Sequence, residues 1–350
     1  MKKLPWIAAL TALAGAALTA KLVRRPRDVE WADSANDWPH AAHSRFVMVD
    51  GVRLHFQEFG LPNAPPVILV HGFCASSASW SKIAQPLAEA GYRVIAPDLV
   101  GYGFSDKPPY AEYTVHAQTR MMLRLMNRLG IGRAVLVGCS YGGAVAATCA
   151  LEAPERVEKL VLVGAVSNNQ AMSQPLLRFA TAPGLGEALT PLMLDSRRLM
   201  HWRMKQIYAP ANAHLYDHSR AEMVSRPLRS ASAHRAVLHT MRRWSANHVS
   251  QGAHLIDTPT LLIWGEDDRD VPLSNAQRLF RAIPDARLII FRHCGHVPQE
   301  EKPVLFNELL INYLRGALPY TRTEEIAEGV KIRNLPSETD EAETTAGHEL

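Results

Sequence analysis

The sequence predicts an α/β fold with a mostly parallel central sheet flanked by helices, a helical cap insertion and an N-terminal hydrophobic helix. Short apolar runs with the length of buried strands alternate with longer segments that have helical periodicity. This alternation is typical of parallel strands joined by helices that cover both faces of the sheet. One long segment without a strand run interrupts the alternation and predicts the insertion.

Eight strands are predicted from apolar runs that end near turn-forming residues. The first two flank Asp50-Gly51, a dipeptide typical of a hairpin turn. Two helices, Trp80–Ala90 and Thr114–Leu129, are each followed by a glycine, a common helix stop. The predicted strands are Arg45–Val49, Val52–Phe56, Val67–Val70, Arg93–Ala96, Ala134–Val137, Leu160–Val163, Thr260–Trp264 and Arg287–Phe291.

Composition and element order divide the chain into six segments. The insertion holds six of the eleven methionines, and the C-terminal residues are polar, mostly acidic and without periodicity, which predicts disorder. The predicted segments are an N-terminal membrane anchor or signal segment at 1–27, a linker at 28–44, the first part of the core at 45–166, the helical cap at 167–250, the second part of the core at 251–318 and a disordered polar tail at 319–350.

The N-terminal segment Leu4–Ala20 contains seventeen residues without a charge, and basic residues lie on both sides. That length is at the lower limit for a membrane-spanning helix. A cleaved secretory signal is the first alternative, but Leu18 would occupy the −3 position of a cut after Ala20, where a small residue is usual. A soluble helix is the second. We expect a membrane-associated protein with an uncleaved anchor, or else one exported after signal cleavage.

Charge and cysteine content exclude several function classes. The formal net charge of the 350-residue chain is only +4, so nothing indicates a nucleic-acid partner. The four cysteines show no Cys-x-x-Cys spacing, and we expect small buried thiols rather than a metal site or disulfides. We expect neither a cofactor nor a metal.

The pentapeptide Gly138-Cys139-Ser140-Tyr141-Gly142 has the pattern G-x-S-x-G. It follows the predicted strand Ala134–Val137 and precedes a run of small residues with helical character. A strand that turns sharply into a helix in this way exposes the serine hydroxyl. The N–H groups at the start of the helix point at the same place. A glycine-rich turn with an idle serine is the alternative interpretation of this motif.

Three further motifs lie at the carboxyl ends of predicted strands, the edge at which ligands bind in open α/β sheets. The first is His71-Gly72-Phe73. We expect the Phe73 backbone N–H to stabilise an oxyanion together with the N–H of Tyr141. A plain glycine turn is the alternative.

The other two motifs offer a carboxylate and an imidazole. The acidic loop after Trp264 contains Asp267, Asp268 and Asp270, any of which could orient a histidine, and its spacing does not match a calcium-binding loop. The third motif, Gly295-His296-Val297-Pro298, supplies a histidine directly after a strand. His293 is its local competitor.

Together these motifs give the chain order Ser, Asp, His, which is the order in α/β-hydrolase triads. Over residues 45–318 the chain resembles the α/β-hydrolase family, in particular its serine esterase and lipase-like members. In the family, the acid follows the strand glycine by three positions and precedes a proline by four, and the histidine follows a glycine. The resemblance rests on His71-Gly72-Phe73, Asp98 through Ser105, Gly138 through Gly143, Gly265 through Pro272, Gly295 through Pro298, Glu300 and Pro303.

The resemblance implies a catalytic triad of Ser140, Asp268 and His296, with the backbone N–H groups of Phe73 and Tyr141 as the oxyanion hole. A serine in the pentapeptide argues against dehalogenase or epoxide-hydrolase chemistry, which in similar proteins uses a carboxylate nucleophile. We expect a serine hydrolase that cleaves carboxylic esters through an acyl-enzyme.

The uncharged N-terminal segment and the methionine-rich insertion favour a lipophilic substrate, as in a membrane-associated esterase or monoacylglycerol-type lipase. The expected partners are therefore a small-molecule or lipid ester and a membrane surface. The alternatives are a C–C bond hydrolase, a thioesterase, an amidase or an acyltransferase with the same triad. From another class, a slow-turnover binding protein for small molecules is also consistent with the sequence.

Overall fold

The structure, a computed structural model, describes residues 26–170, 173–318, 325–327 and 330–334. The predicted hydrophobic helix at the N-terminus lies outside these residues. Ten strands form one sheet in the order β1-β2-β4-β3-β5-β6-β7-β8-β10-β9. The strands are β1 Ser44–Val49, β2 Val52–Phe59, β3 Pro66–Val70, β4 Arg93–Pro97, β5 Ala134–Cys139, β6 Val157–Val163, β7 Thr260–Gly265, β8 Ala286–Phe291, β9 Glu325–Ala327 and β10 Val330–Asn334.

The predicted strands and the predicted hairpin are confirmed. Strand β1 pairs with β2 in an antiparallel register around Asp50-Gly51, and β2 is antiparallel to β4. Strands β3 to β8 are parallel to one another. Strand β5 is buried along its whole length, as expected for a central strand with helices on both faces. One apolar core lies on each face of the sheet.

Twelve α-helices lie within the described residues. Most are short, and the amphipathic helix α2 begins as predicted, because the Thr114 side chain caps it by accepting the N–H of Ala117. The helices are α1 Ala84–Glu89, α2 Val115–Arg128, α3 Tyr141–Glu152, α4 Pro175–Ala180, α5 Leu185–Leu194, α6 Arg197–Gln206, α7 His218–Ser225, α8 Ala231–Arg242, α9 Asn247–Gly252, α10 Leu273–Ala282, α11 Pro298–Glu301 and α12 Pro303–Leu314.

Three segments differ from the sequence-based expectations. The predicted helix Trp80–Ala90 is a 3-10 turn, Ser77–Trp80, followed by the shorter helix α1. Pro86 accounts for the short helix, because proline is tolerated only in the first turn. The expected linker at 28–44 contains three 3-10 helices, and its Trp38 packs against Phe104 in a small buried cluster.

In the polar tail at 319–350, which is expected to be disordered, the described residues 325–327 and 330–334 instead form strands β9 and β10. Strand β10 pairs with the edge strand β8 in an antiparallel register. This pairing provides partners for the backbone groups along an edge of the parallel sheet that would otherwise be open.

The insertion at 167–250 contains helices α4 to α8 and most of α9, and its described residues form no strand. It joins the core between β6 and β7, so it lies at the carboxyl ends of the parallel strands. No helix of the described part of the chain is both long and apolar enough to cross a membrane. The uncharged segment Leu4–Ala20 lies outside that part.

Candidate active site

Ser140 occupies the sharp turn between β5 and α3, as predicted. Its φ of 53° and ψ of −117° are strained for a residue with a side chain. The neighbouring strand fixes this turn, because the Ser140 N–H donates to the Val163 carbonyl at 2.9 Å and the Val166 N–H donates to the Ser140 carbonyl at 3.0 Å. A Cβ atom on Gly142 would lie 2.3 Å from the Val70 carbonyl oxygen, so only glycine fits there.

His296 and Asp268 form a buried pair. The His296 Nδ1 atom lies 2.8 Å from Asp268 Oδ2. The other oxygen of Asp268 accepts the backbone N–H groups of Asp270 and Val271, both at 2.9 Å. This is the aspartate that the family resemblance implies. Of the other two in the acidic loop, Asp267 is exposed and Asp270 pairs with Arg203 on α6. The competitor histidine at position 293 is exposed as well.

The imidazole of His296 and the Ser140 turn both lie against the end of β6. Val163 accepts the Ser140 N–H. At the next residue, Gly164, a Cβ atom would lie 3.0 Å from His296 Nδ1 and 3.1 Å from Asp268 Oδ2. The structure thus places Ser140, Asp268 and His296 at one edge of the sheet.

The charges around His296 favour its protonated form. Burial alone lowers the pKa of His296, but the adjacent Asp268 carboxylate, with Asp270 behind it, raises this pKa above its ordinary value of 6.5. The Arg203 guanidinium opposes this effect weakly. An imidazole in this environment is a base whose charged form is stabilised by a neighbouring carboxylate.

The loop His71-Gly72-Phe73 lies directly against Ser140. A Cβ atom on Gly72 would be 3.2 Å from Ser140 Cβ. His71 holds the loop in place, because its Nε2 accepts the Leu99 N–H at 3.0 Å and its Nδ1 lies 2.8 Å from the Gly72 carbonyl oxygen. Burial lowers the pKa of His71, which agrees with a neutral ring that donates at Nδ1. His71 is therefore a structural residue of this loop.

The two backbone N–H groups predicted for the oxyanion hole belong to segments next to Ser140. Tyr141 is the first residue of α3, so its N–H has no acceptor within the helix. The Phe73 N–H belongs to the loop that contacts Ser140. That these two groups form the oxyanion hole stays a prediction.

A cavity of about 550 Å³ lies in the cap segment, and Trp244, which lines it, also packs beside the Ser140 turn. The Trp244 ring is 5.6 Å from the Phe73 ring and 5.1 Å from the Tyr141 ring. No sequence pattern indicated Trp244 as a site residue, because it lies about a hundred positions from Ser140. The cavity is lined by Asn169, Ser173, Leu177, Arg178, Thr181, Pro183, Met241, Arg242 and Trp244.

Hydrogen bonds also link the cap to the loop that carries His296. The His296 N–H donates to the Ile207 carbonyl of the cap at 2.7 Å. The Tyr208 hydroxyl donates to Glu300 Oε2 at 2.6 Å. Glu301 accepts the Gly295 N–H at 2.8 Å. Sequence reasoning missed these contacts, although Glu300 was noted.

Glu301 joins the cap to this loop a second time. Its Oε2 atom accepts the Ala209 N–H at 3.1 Å and the Asn212 side-chain amide at 2.8 Å. Burial raises the pKa of Glu301. The backbone position of His296 thus depends on hydrogen bonds from the cap.

Metal ligands and cysteines were the other candidates for reactive groups. In the ranges that the structure describes, no group of three or more histidine, cysteine or acidic side chains could hold a metal ion. All four cysteines are free, and three of them are buried, as predicted. Burial raises the pKa of Cys139, next to Ser140, to about 12, so this thiol is not a nucleophile.

The fold and the site define a protein of the α/β-hydrolase class, and comparison with known proteins agrees. A family described as the alpha/beta hydrolase fold matches residues 65–303. A 2-hydroxy-6-oxo-6-phenylhexa-2,4-dienoate hydrolase of Comamonas testosteroni is 35% identical over 274 residues, which are 75% of this chain and 91% of the relative. The chain belongs to the α/β-hydrolase family and is a hydrolase.

Two solved structures extend this comparison. A meta-cleavage product hydrolase from Pseudomonas fluorescens IP01 has a TM-score of 0.65 and 26% identity, covering 78% of this chain and 98% of its own. A bacterial membrane phospholipase A has a TM-score of 0.67 and 25% identity, covering 91% of this chain and 99% of its own. The second similarity therefore extends well beyond the residues matched by the family.

Proposed function

We propose that this protein is a serine hydrolase that cleaves carboxylic esters with lipophilic acyl chains at a membrane, as an esterase or a monoacylglycerol-type lipase does. The observation that carries the proposal is the buried 2.8 Å contact between His296 and Asp268 beside the Ser140 turn. In this proposal Ser140 is the nucleophile, His296 the general base and Asp268 the residue that orients the imidazole.

The proposed reaction has two halves. The Ser140 oxygen attacks the acyl carbonyl and its proton passes to His296 Nε2, while the carbonyl oxygen becomes an anion bound by the N–H groups of Phe73 and Tyr141. His296 then gives the proton to the departing alcohol, which leaves an acyl-enzyme. Water attacks this ester, His296 takes one of its protons, and the carboxylic acid departs as Ser140 recovers its hydrogen.

The lining of the cap cavity favours an acyl chain as the group that binds there. The cavity is walled in part by the apolar side chains of Leu177, Met241 and Trp244. Of the two arginines in the wall, Arg242 is already bound, because two of its nitrogens contact Glu187 at 2.7 and 2.8 Å. Two further observations support a membrane location, namely the uncharged segment Leu4–Ala20 and the similarity to a membrane phospholipase A over 91% of the chain.

C–C bond hydrolysis is the second candidate, because relatives at 32–35% identity are hydrolases of 2-hydroxy-6-oxo acids. Such substrates carry a carboxylate and need a cation in the pocket. Arg178 offers one, since it lines the cavity, is exposed, and contacts no acidic side chain among the described residues. The two candidates therefore differ in what they require of Arg178.

Labelling with a fluorophosphonate probe tests the serine mechanism. We expect wild type to be labelled, and Ser140→Ala and His296→Ala to lose the label. Absence of labelling in wild type would contradict the mechanism and would favour a binding protein.

A substrate panel tests the bond that is cleaved. We expect turnover of p-nitrophenyl esters and monoacylglycerols, and we expect Arg178→Gln to leave it unchanged. Turnover of a 2-hydroxy-6-oxo dienoate that exceeds ester turnover and falls in Arg178→Gln would overturn ester cleavage in favour of C–C hydrolysis.

A further inference from the structure

The outer surface of the cap carries an unusual number of exposed apolar side chains. Leu176 is 78% exposed, Phe179 67% and Trp202 59%. Helix α4 packs against α5, and α5 against α6, so the residues belong to neighbouring helices. Single exposed apolar residues are normal on a soluble surface, whereas a group of this kind marks an interaction site. The apolar cap face consists of Leu176, Phe179, Leu189, Met193, Leu199 and Trp202.

Two of the three helices of the apolar cap face, α4 and α6, carry only positive charges, whereas the Glu187 carboxylate of α5 pairs with Arg242. On α6, Arg198, Trp202 and Lys205 follow one another at spacings of four and three, so they share one side of the helix. All three are exposed. Helices α4 and α6 contain no acidic residue. Apolar side chains bordered by arginine and lysine are typical of helices that lie on anionic lipid.

The N-terminal part of the chain reaches the cap at the same corner. The Ala231 N–H, at the start of α8, donates to the Pro26 carbonyl at 3.0 Å, and Ser232 contacts Asp28. One turn further along α8, His234 lies 3.1 Å from Asp195, which separates α5 from α6. The uncharged segment Leu4–Ala20 precedes this point by a few residues. A membrane segment there would bring this corner of the cap to the bilayer.

We propose that the apolar cap face rests on an anionic lipid surface, beside the point where the N-terminal segment meets the cap. Leu177 and Arg178, which line the cavity, lie between two residues of this face on α4. Contact with lipid would therefore place the cavity next to the bilayer that holds the substrate. This inference extends the membrane association proposed above and does not depend on which bond the enzyme cleaves.

Quenching of Trp202 tests the contact in the full-length protein. The protein is reconstituted into phosphatidylcholine–phosphatidylglycerol vesicles with or without bromine on the acyl chains. The difference between the emission of wild type and of Trp202→Phe reports Trp202 alone. We expect brominated lipid to remove most of this emission. The matched control is Trp264→Phe, whose difference signal should be unaffected because Trp264 is buried in the core. Equal Trp202 emission in both vesicles would overturn the proposal.

A pair of serine substitutions tests the same face by hydrogen exchange. In Leu176→Ser/Phe179→Ser, we expect the amides of α6 to lose the protection that wild type gains on vesicles. Leu61→Ser/Leu255→Ser is the control, because these residues are 75% and 63% exposed near the amino ends of the strands, away from the cap.

Two outcomes would contradict the lipid contact. One is that vesicles protect the amides of α6 from hydrogen exchange equally in the cap variant and in the control variant. The other combines two results: Leu176→Ser/Phe179→Ser changes the protein from dimer to monomer, as measured by sedimentation in detergent, and Trp202 is not quenched by brominated lipid. This outcome would assign the apolar cap face to contact with a second copy of the chain. Fluorophosphonate labelling of the same samples is independent of both results, so failure of the serine mechanism is seen separately.

Discussion

The sheet edge that carries the site and the cap above it are built in different ways. At the edge, backbone hydrogen bonds to neighbouring strands fix Ser140, and backbone N–H groups fix Asp268. The cap contacts the core largely through side chains, as in Tyr208 with Glu300 and Asn212 with Glu301. It also leaves large apolar side chains exposed. The sheet thus holds the proposed catalytic residues in place, and we propose that the cap selects the substrate and contacts the membrane.

The largest effects should come from the sheet edge. We expect Ser140→Ala to lower kcat by roughly 10⁴- to 10⁶-fold, and Asp268→Asn by roughly 10⁴-fold, because the imidazole loses its partner and its correct tautomer. Ester hydrolysis by purified protein measures both. Asp267→Asn, at the exposed neighbouring aspartate, is the control and should retain full activity. Equal losses in the two asparagine variants would contradict the assignment of the acid.

The contact between the two regions should have the next largest effect. Both carboxylate oxygens of Glu301 accept N–H groups. In Glu301→Gln one of these oxygens becomes an NH₂ group, so it points a donor at another donor. We expect a loss of about 1–3 kcal/mol in the free energy of unfolding, measured by urea denaturation. Glu308→Gln, an exposed position on α12, should leave stability unchanged. Identical unfolding midpoints for the two variants would show that the hydrogen bonds of Glu301 do not stabilise the contact between cap and core.

Changes inside the cap should alter selectivity more than rate. Leu177→Trp fills part of the cavity, and we expect the ratio of long-chain to short-chain ester turnover to fall about tenfold. The matched control is Leu176→Trp, because the neighbouring side chain points to solvent and does not line the cavity. If both variants keep the wild-type ratio, the acyl chain binds elsewhere.

The smallest effect should come from the charges of Asp270 in the core and Arg203 in the cap, which act on the pKa of His296. His296 must be neutral to act as a base, and its pKa is raised, so activity should rise with pH through a value above 6.5. Asp270→Asn removes a charge that raises this pKa, so the acidic limb should move to lower pH. Arg203→Gln should move it to higher pH.

The pH dependence of kcat/KM measures both shifts, which we expect to stay within about one unit. Arg198→Gln, on the same helix as Arg203, is the control and should leave the profile unchanged. Shifts in the same direction for the two test variants would contradict the arrangement of charges around His296.

Sequence patterns predicted the core strands, whose signal is local, better than the strand in the tail, which depends on a distant partner. The apolar runs gave all eight strands of the core because burial on both faces of a sheet requires such runs. The tail was expected to be disordered because acidic composition dominates it. Val330-Lys331-Ile332-Arg333 nevertheless alternates apolar and charged residues, a weak strand signal that becomes a strand by pairing with β8.

By itself, the sequence determined the strand order along the chain, the sharp turn at Ser140 and the order of serine, acid and histidine. Each of these depends on residues within a few positions of one another. Tertiary structure alone decided how backbone N–H groups hold Asp268 beside His296, that Trp244 of the cap packs beside the Ser140 turn, and that hydrogen bonds link the cap to the loop of His296. Such contacts join residues tens of positions apart, and only the packing of the whole chain brings them together.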